Sequence, residues 1–266
     1  MQNDLNCFNA SLISGSSTES GARSGNFCEV TKSVVAGMPA LIAGSGEPLV
    51  FLHGFMSQKE AFLNQLVFFA KRFKTIAIDM KGFGENSFMP YPYTLSDYVR
   101  DFYFLVGTLG GKVNVVAHSF GCRVALKAAA ESDKINKLVL VGAAGLKTKK
   151  GLKYYSKKAA YRLIGRLFKK EKREKIFFSP DYNMLGDVMK QSFKYVTGEL
   201  LDEKLKYIKS PVLAVFGEND RQTPPYLAKK IKANITGAET HIMKGCGHFC
   251  FAESPREFNF SVNEFL

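Results

Sequence analysis

The chain has no tryptophan in its 266 residues, only four histidines and only five cysteines. The cysteines stand at positions 7, 28, 122, 246 and 250, an odd number and widely scattered. That pattern does not build a disulfide framework, so a reduced, cytoplasmic protein is the simpler expectation. No apolar run reaches the roughly 20 residues of a membrane-spanning helix. The N-terminus lacks a basic segment followed by an apolar one, so no secretory signal is expected. Cys246 and Cys250 flank His248. Two thiols and one imidazole have no evident fourth ligand, so no metal is expected there.

Apolar residues, in contrast, are plentiful. At 46% hydrophobic the chain can bury a large core, as one domain with an insertion or as two. Residues 1–26 are rich in Ser, Gly and Asn and carry little periodicity, which reads as a flexible tail. The formal net charge is +13, and most of it is local: Lys147 to Lys175 holds thirteen Lys or Arg against two Glu, a net of +11. Leu152, Tyr155, Ala159, Leu163 and Leu167 fall near one helical face with lysines opposite. The first reading is a solvated helix face. Attraction of anionic substrates or docking on a negatively charged surface are the alternatives. No nucleic-acid reader motif accompanies the charge, so no nucleic-acid partner is expected.

The stretch that organises the chain runs from Lys112 to Lys127. Val113 to Ala117 is apolar, short and β-branched, which predicts a buried strand. Val124 to Ala130 is made of strong helix formers. Between them lies Ala117-His118-Ser119-Phe120-Gly121. Small residues at 117 and 121 let the backbone reverse sharply, leaving Ser119 exposed at the apex in front of a helix N-terminus.

Around this stretch strands and helices alternate. Strands are expected over 29–36, 40–43, 48–53, 75–79, 135–141, 211–216 and 238–243, and helices over 60–73 and 95–109. The alternation stops near Gly145. A second amphipathic pattern follows at Leu185, Val188, Ser192 and Val196. Thr223 and Pro224 look like a helix start, and Ser254-Pro-Arg-Glu257 like a capping box. Asp220 falls on a loop beyond a strand end, where ligand sites gather in open parallel sheets. His248 sits among small residues in a loop, whereas His241 lies within a strand pattern.

The 117–121 segment resembles the nucleophile elbow G-x-S-x-G of the α/β-hydrolase family, with Ala117 in place of the first glycine. The resemblance extends to His53-Gly54, to Asp79 through Ser87 (with Lys81 where the family often has arginine), to Gly217-Glu-Asn-Asp220, and to His248. It implies an α/β fold with a mainly parallel central sheet flanked by helices. The hydrolase core would span residues 27–145 and 210–266, with a helical cap inserted over 146–209. It also implies Ser119, Asp220 and His248 as a catalytic triad, with Glu218 as the rival acid. The oxyanion donors would be the backbone N–H groups of Phe55 and Phe120. Asp79 and the His53 side chain read as structural.

A serine nucleophile implies hydrolysis of a carboxylic ester of a small-molecule acyl substrate, with no cofactor and no metal. The first alternative is C–C bond hydrolysis of the meta-cleavage type. Those enzymes often place tryptophan beside the histidine, where this chain has Phe249. The other is a slow-turnover binding or sensing member of the fold. Substrate identity and oligomeric state have no signature in the sequence.

Overall fold

The computed structural model describes residues 29–149 and 180–266. The tail expected over 1–26 and most of the basic stretch lie outside the described residues. The chain order begins with strands β1 (Thr31–Val35), β2 (Met38–Ala43) and β3 (Pro48–Leu52). Helix α1 (Leu63–Phe69), β4 (Lys74–Ile78), α2 (Leu95–Thr108), β5 (Val113–His118), α3 (Phe120–Glu131) and β6 (Ile135–Val141) follow. Helices α4 (Pro180–Met184) and α5 (Asp187–Gly198) precede β7 (Val212–Gly217), α6 (Tyr226–Asn234), β8 (Glu239–Met243), α7 (Cys250–Glu253) and α8 (Pro255–Phe265).

Among the described residues the strands form one sheet in the order β1-β2-β4-β3-β5-β6-β7-β8. The β1–β2 and β2–β4 pairs are antiparallel, and every pair from β4 to β8 is parallel. The central strands are buried on both faces, as β5 and β7 are throughout. That is why they read as continuous apolar runs rather than alternating ones. Alternation decides which layer each side chain joins. Val50 and Leu52 of β3 pack with the α2 and α3 side chains Phe102, Leu105, Val124 and Leu126. Leu49 and Phe51 pack on the other face with Leu66 and Phe69 of α1 and Phe258 and Val262 of α8.

The chain leaves β3 to make β4 on one side, then returns to make β5 on the other. This reversal is a topological switch point, and it opens a crevice beyond the carboxyl ends of β3 and β5.

Three local expectations change. Residues 60–73 are not one helix: a 3-10 turn at Lys59–Phe62 precedes α1. There Asp79 Oδ1 accepts from the Lys59 main-chain nitrogen at 2.8 Å and pins the segment against the end of β4. The helix after Asp220 begins at Tyr226 with Pro225 at its N-cap, because the Thr223 hydroxyl is bonded to Asp220 instead. Ser254 makes no capping bond, although α8 does begin with Pro255. The Ser254 main-chain N–H goes to Cys250 O at 3.0 Å and its hydroxyl donates to Glu257 Oε2 at 3.5 Å, while Glu257 Oε1 lies 3.1 Å from His241 Nε2.

Candidate active site

The residue at the tip of the β5–α3 turn, Ser119, has φ 49° and ψ −106°. A non-glycine residue in that region costs on the order of 1–3 kcal/mol and is held only by its surroundings. Here the Ser119 N–H donates to Val141 O at 2.9 Å, while Ser119 O accepts from Cys122 N at 3.1 Å and Ala144 N at 3.3 Å. Gly121 lets α3 sit directly on β3. A Cβ there would lie 2.4 Å from Leu52 O, and the Gly121 N–H donates to His53 O at 3.1 Å. Ala117, by contrast, is an ordinary strand residue opposite Leu52.

Two loops meet Ser119 from the far half of the sheet. His248, on the loop after β8, accepts from the Ser119 hydroxyl at its Nε2, 2.9 Å from Oγ. Its Nδ1–H donates to Asp220 Oδ2 at 2.8 Å. Asp220, on the loop after β7, also accepts from the Thr223 hydroxyl at 2.7 Å, and its Oδ1 accepts from the main-chain N–H groups of Gln222 at 2.8 Å and Thr223 at 2.9 Å. Burial works against the Asp220 carboxylate, but the bonds from His248 and Thr223 outweigh it and hold its pKa below the ordinary value. Asp220 and His248 are buried, while Ser119 is partly open.

The rival candidates stand apart from this chain of bonds. Glu218 is exposed and accepts from Gly245 N at 3.0 Å. His241 pairs with Glu257. Cys122, Cys246 and Cys250 are free and buried, and burial pushes the Cys250 thiol up to about 12. Among the described residues no cluster of three or more His, Cys, Asp or Glu could hold a metal ion.

Phe55 and Phe120 flank the crevice from β3 and β5, with ring centroids 5.9 Å apart. No hydrogen bond among the described residues occupies the main-chain N–H of either. The His53 side chain bears on this. Met80 N–H donates to His53 Nε2 at 3.1 Å, so Nδ1 carries the proton, and it donates to Gly54 O at 2.7 Å. Burial lowers the His53 pKa to about 4, which keeps the ring neutral. The Gly54 carbonyl and the Phe55 N–H belong to one planar peptide unit. Fixing the carbonyl on one side therefore directs the N–H to the other.

Two contributors escape sequence reasoning. Thr223 carries a helix-start signal that conceals its bond to Asp220. His118 occupies a variable position of the elbow, yet its Nε2 lies 3.0 Å from His248 O. Only three-dimensional proximity reveals either.

A family model for the alpha/beta hydrolase family matches residues 49–259. A 2-hydroxy-6-oxo-6-(2'-aminophenyl)hexa-2,4-dienoic acid hydrolase from Metapseudomonas resinovorans is 25% identical over 249 residues, covering 85% of this chain and 86% of that protein. The AB hydrolase superfamily protein YisY of Bacillus subtilis (strain 168) is 27% identical over 247 residues, covering 84% and 92%. Among solved structures, a serine hydrolase involved in carbazole degradation aligns with a TM-score of 0.71 at 24% identity, covering 89% of this chain and 98% of that one. Fold, strand order and the extent of the family match agree, and the chain belongs to the alpha/beta hydrolase family.

Proposed function

We propose that the protein is a serine hydrolase acting on carboxylic esters with an apolar acyl group, through an acyl-enzyme on Ser119. The observation that carries this reading is the hydrogen-bonded chain Ser119–His248–Asp220. A serine hydroxyl is a weak nucleophile at its free pKa and needs an adjacent base. His248 Nε2 takes the Oγ proton as Oγ bonds to the ester carbon. Asp220 holds the tautomer with the proton on Nδ1 and stabilises the imidazolium. The N–H groups of Phe55 and Phe120 receive the oxyanion. Collapse expels the alkoxide, which takes the proton from His248. Water then attacks the acyl-enzyme with His248 again as base, releasing the acid and restoring Ser119.

The surroundings support an apolar acyl group. Phe55 packs on Phe83, Phe120 and Phe193 at centroid distances of 5.2, 5.9 and 4.9 Å. Phe193 belongs to α5, so we read α4 and α5 as part of a cap over the crevice. Phe83 also lines a cavity of about 750 Å³ between the loops after β3 and β4 and helices α4 and α5. Met56, Met89, Met184 and Met189 line it as well. Thioether side chains adapt to apolar ligands of differing shape. Among the described lining residues the charged one is Glu60, whose Oε1 pairs with Lys59 Nζ at 3.1 Å.

One observation favours a second reading, C–C bond hydrolysis: the 25% identity to the dienoic acid hydrolase over most of both chains. Against it stands Phe249 beside His248. Parallel assays on p-nitrophenyl esters of graded acyl length and on a 2-hydroxy-6-oxohexa-2,4-dienoate separate the two. The ester reading expects kcat/KM to rise with acyl length and the dienoate to turn over slowly. Preferred turnover of the dienoate would reverse the assignment. In either case Ser119→Ala should lower kcat by about four to six orders of magnitude.

A further inference from the structure

We propose that His118 is a positioning residue: its Nε2–H ties the main chain of the His248 loop to the residue that precedes the nucleophile, and so sets the His248–Ser119 distance. This rests on the triad reading above.

The productive separation of 2.9 Å between His248 Nε2 and Ser119 Oγ joins positions 129 residues apart in the chain. The loop after β8 that carries His248 has no regular structure of its own from Lys244 to Phe249. Several bonds hold it on the Asp220 side. Cys246 O accepts from Asn219 N at 2.8 Å, and Gly245 N donates to Glu218 at 3.0 Å. Glu253 accepts from Gly247 N at 2.6 Å and from Phe249 N at 3.2 Å. Among the hydrogen bonds of the described residues, one joins the main chain of this loop to β5: His118 Nε2 to His248 O, 3.0 Å. It starts one residue before Ser119 and ends on His248 itself.

The chemistry of the bond is settled by its acceptor. A carbonyl oxygen can only accept, so Nε2 carries the proton. The ring is 2% exposed and packs at centroid distances of 4.8, 5.1 and 5.0 Å from His248, Phe249 and Phe251. Burial, followed by the proximity of His248, lowers its pKa to about 3, so the ring remains neutral and is no proton store for the reaction. Its other edge faces Gly54: a Cβ on Gly54 would lie 2.8 Å from His118 Nδ1. One ring thus stands between the oxyanion loop and the acid–base loop, held in a slot that leaves it little freedom.

The test compares His118→Leu, His118→Gln and His118→Asn in the full chain. Gln carries an amide N–H at the reach of imidazole Nε2, Leu offers no donor, and Asn falls one methylene short. On a short p-nitrophenyl ester, the Leu and Asn variants should lose about 10- to 100-fold in kcat, with KM within about threefold of wild type. Gln should recover to within about fivefold of wild-type kcat. The rate at which a fluorophosphonate labels Ser119 should fall in step with kcat, because labelling also needs His248 to take the serine proton. A role in packing alone would lower the melting temperature without this split and without rescue by Gln. If Leu fails to fold, the Gln and Asn pair decides. Wild-type labelling rates in Leu or Asn, or a folded Gln variant as slow as Asn, would overturn the inference alone. Labelling of wild type at a residue other than Ser119 would overturn the triad reading and this inference with it.

Discussion

The loops after β4 and after β7 both begin with a buried carboxylate at a strand end, and they make instructive opposites. Asp79 is fully buried and saturated. Its Oδ1 accepts from Lys59 N, and its Oδ2 from Lys59 Nζ at 2.7 Å and Glu85 N at 2.9 Å. Asp220 is also buried and also saturated, with two main-chain donors, a hydroxyl and an imidazole. Burial and hydrogen-bond count do not tell them apart. The partner does. Lys59 is 1% exposed; burial opposes its charge, but the bonds to Asp79, Glu60 and Glu85 prevail and raise its pKa, so it never gives up a proton in the working range. His248 is an imidazole, and its second nitrogen meets the partly open Ser119 hydroxyl. A closed ion pair stabilises a loop. A carboxylate behind an imidazole that has a free face can do chemistry.

Removing each charge should break the molecule in a different place. Asp220→Asn keeps the shape and the contacts to Thr223 but exchanges the tautomer that His248 adopts. A loss of about 10⁴ in kcat is expected, with a melting temperature close to wild type. Glu218→Gln in the same loop should stay within about twofold, since Glu218 bonds only to Gly245 N among the described contacts. Inactivity of Glu218→Gln beside an active Asp220→Asn would exchange the roles of the two carboxylates.

Asp79→Asn leaves Lys59 buried without its strongest partner. Breaking a buried pair from one side costs about 3–5 kcal/mol, which urea denaturation would read as a lower midpoint at unchanged m-value. Activity per titrated active site should stay within about fivefold, because Asp79 touches no reacting group. A stable but inactive Asp79→Asn would make the two loops alike and remove the distinction.

How much of this was visible in the residues themselves follows the same division. The β5–α3 turn was legible because strand, small residues and helix follow one another within a single window. Asp79 and Asp220 were separable by resemblance to family loops, and the structure gives them different partners, a lysine for one and an imidazole for the other. Patterns failed where a side chain had two possible uses. Thr223 can cap a helix or bind a carboxylate, and only the nearness of Asp220 decides. Glu257 can close a capping box or pair with His241; it meets the Ser254 hydroxyl and His241, while the Ser254 main-chain N–H goes to Cys250 O. His118 had no signal at all, because its partner is 130 residues away. The pattern at Leu185, Val188, Ser192 and Val196 did yield helix α5, and Ser192 and Val196 are buried in it. It held no information about which aromatic ring α5 would bring to Phe55.

The smallest expected effect tests how finely Asp220 is tuned. Thr223→Val removes one hydroxyl and keeps the volume and the main-chain N–H, so Asp220 Oδ1 retains both of its donors. Oδ2 loses the 2.7 Å bond and keeps His248. A hydrogen bond to a charged group is worth about 1.5–3 kcal/mol, but the two states of the reaction feel it differently. With Thr223 present, Oδ2 divides its charge between a hydroxyl and the imidazole N–H. Without it, the carboxylate is less well stabilised, its pKa rises toward the ordinary value, and its pull on the imidazolium strengthens. The imidazole ring, however, loses a neighbour 3.2 Å from Nδ1 that limits its rotation. Positional freedom should outweigh the electrostatic gain, because triad catalysis depends on alignment. The expected result is a fall of about three- to tenfold in kcat with an unchanged KM. A loss as large as that of Asp220→Asn would mean that Asp220 has swung away from His248, and that Thr223 holds the carboxylate in place rather than sharing its charge.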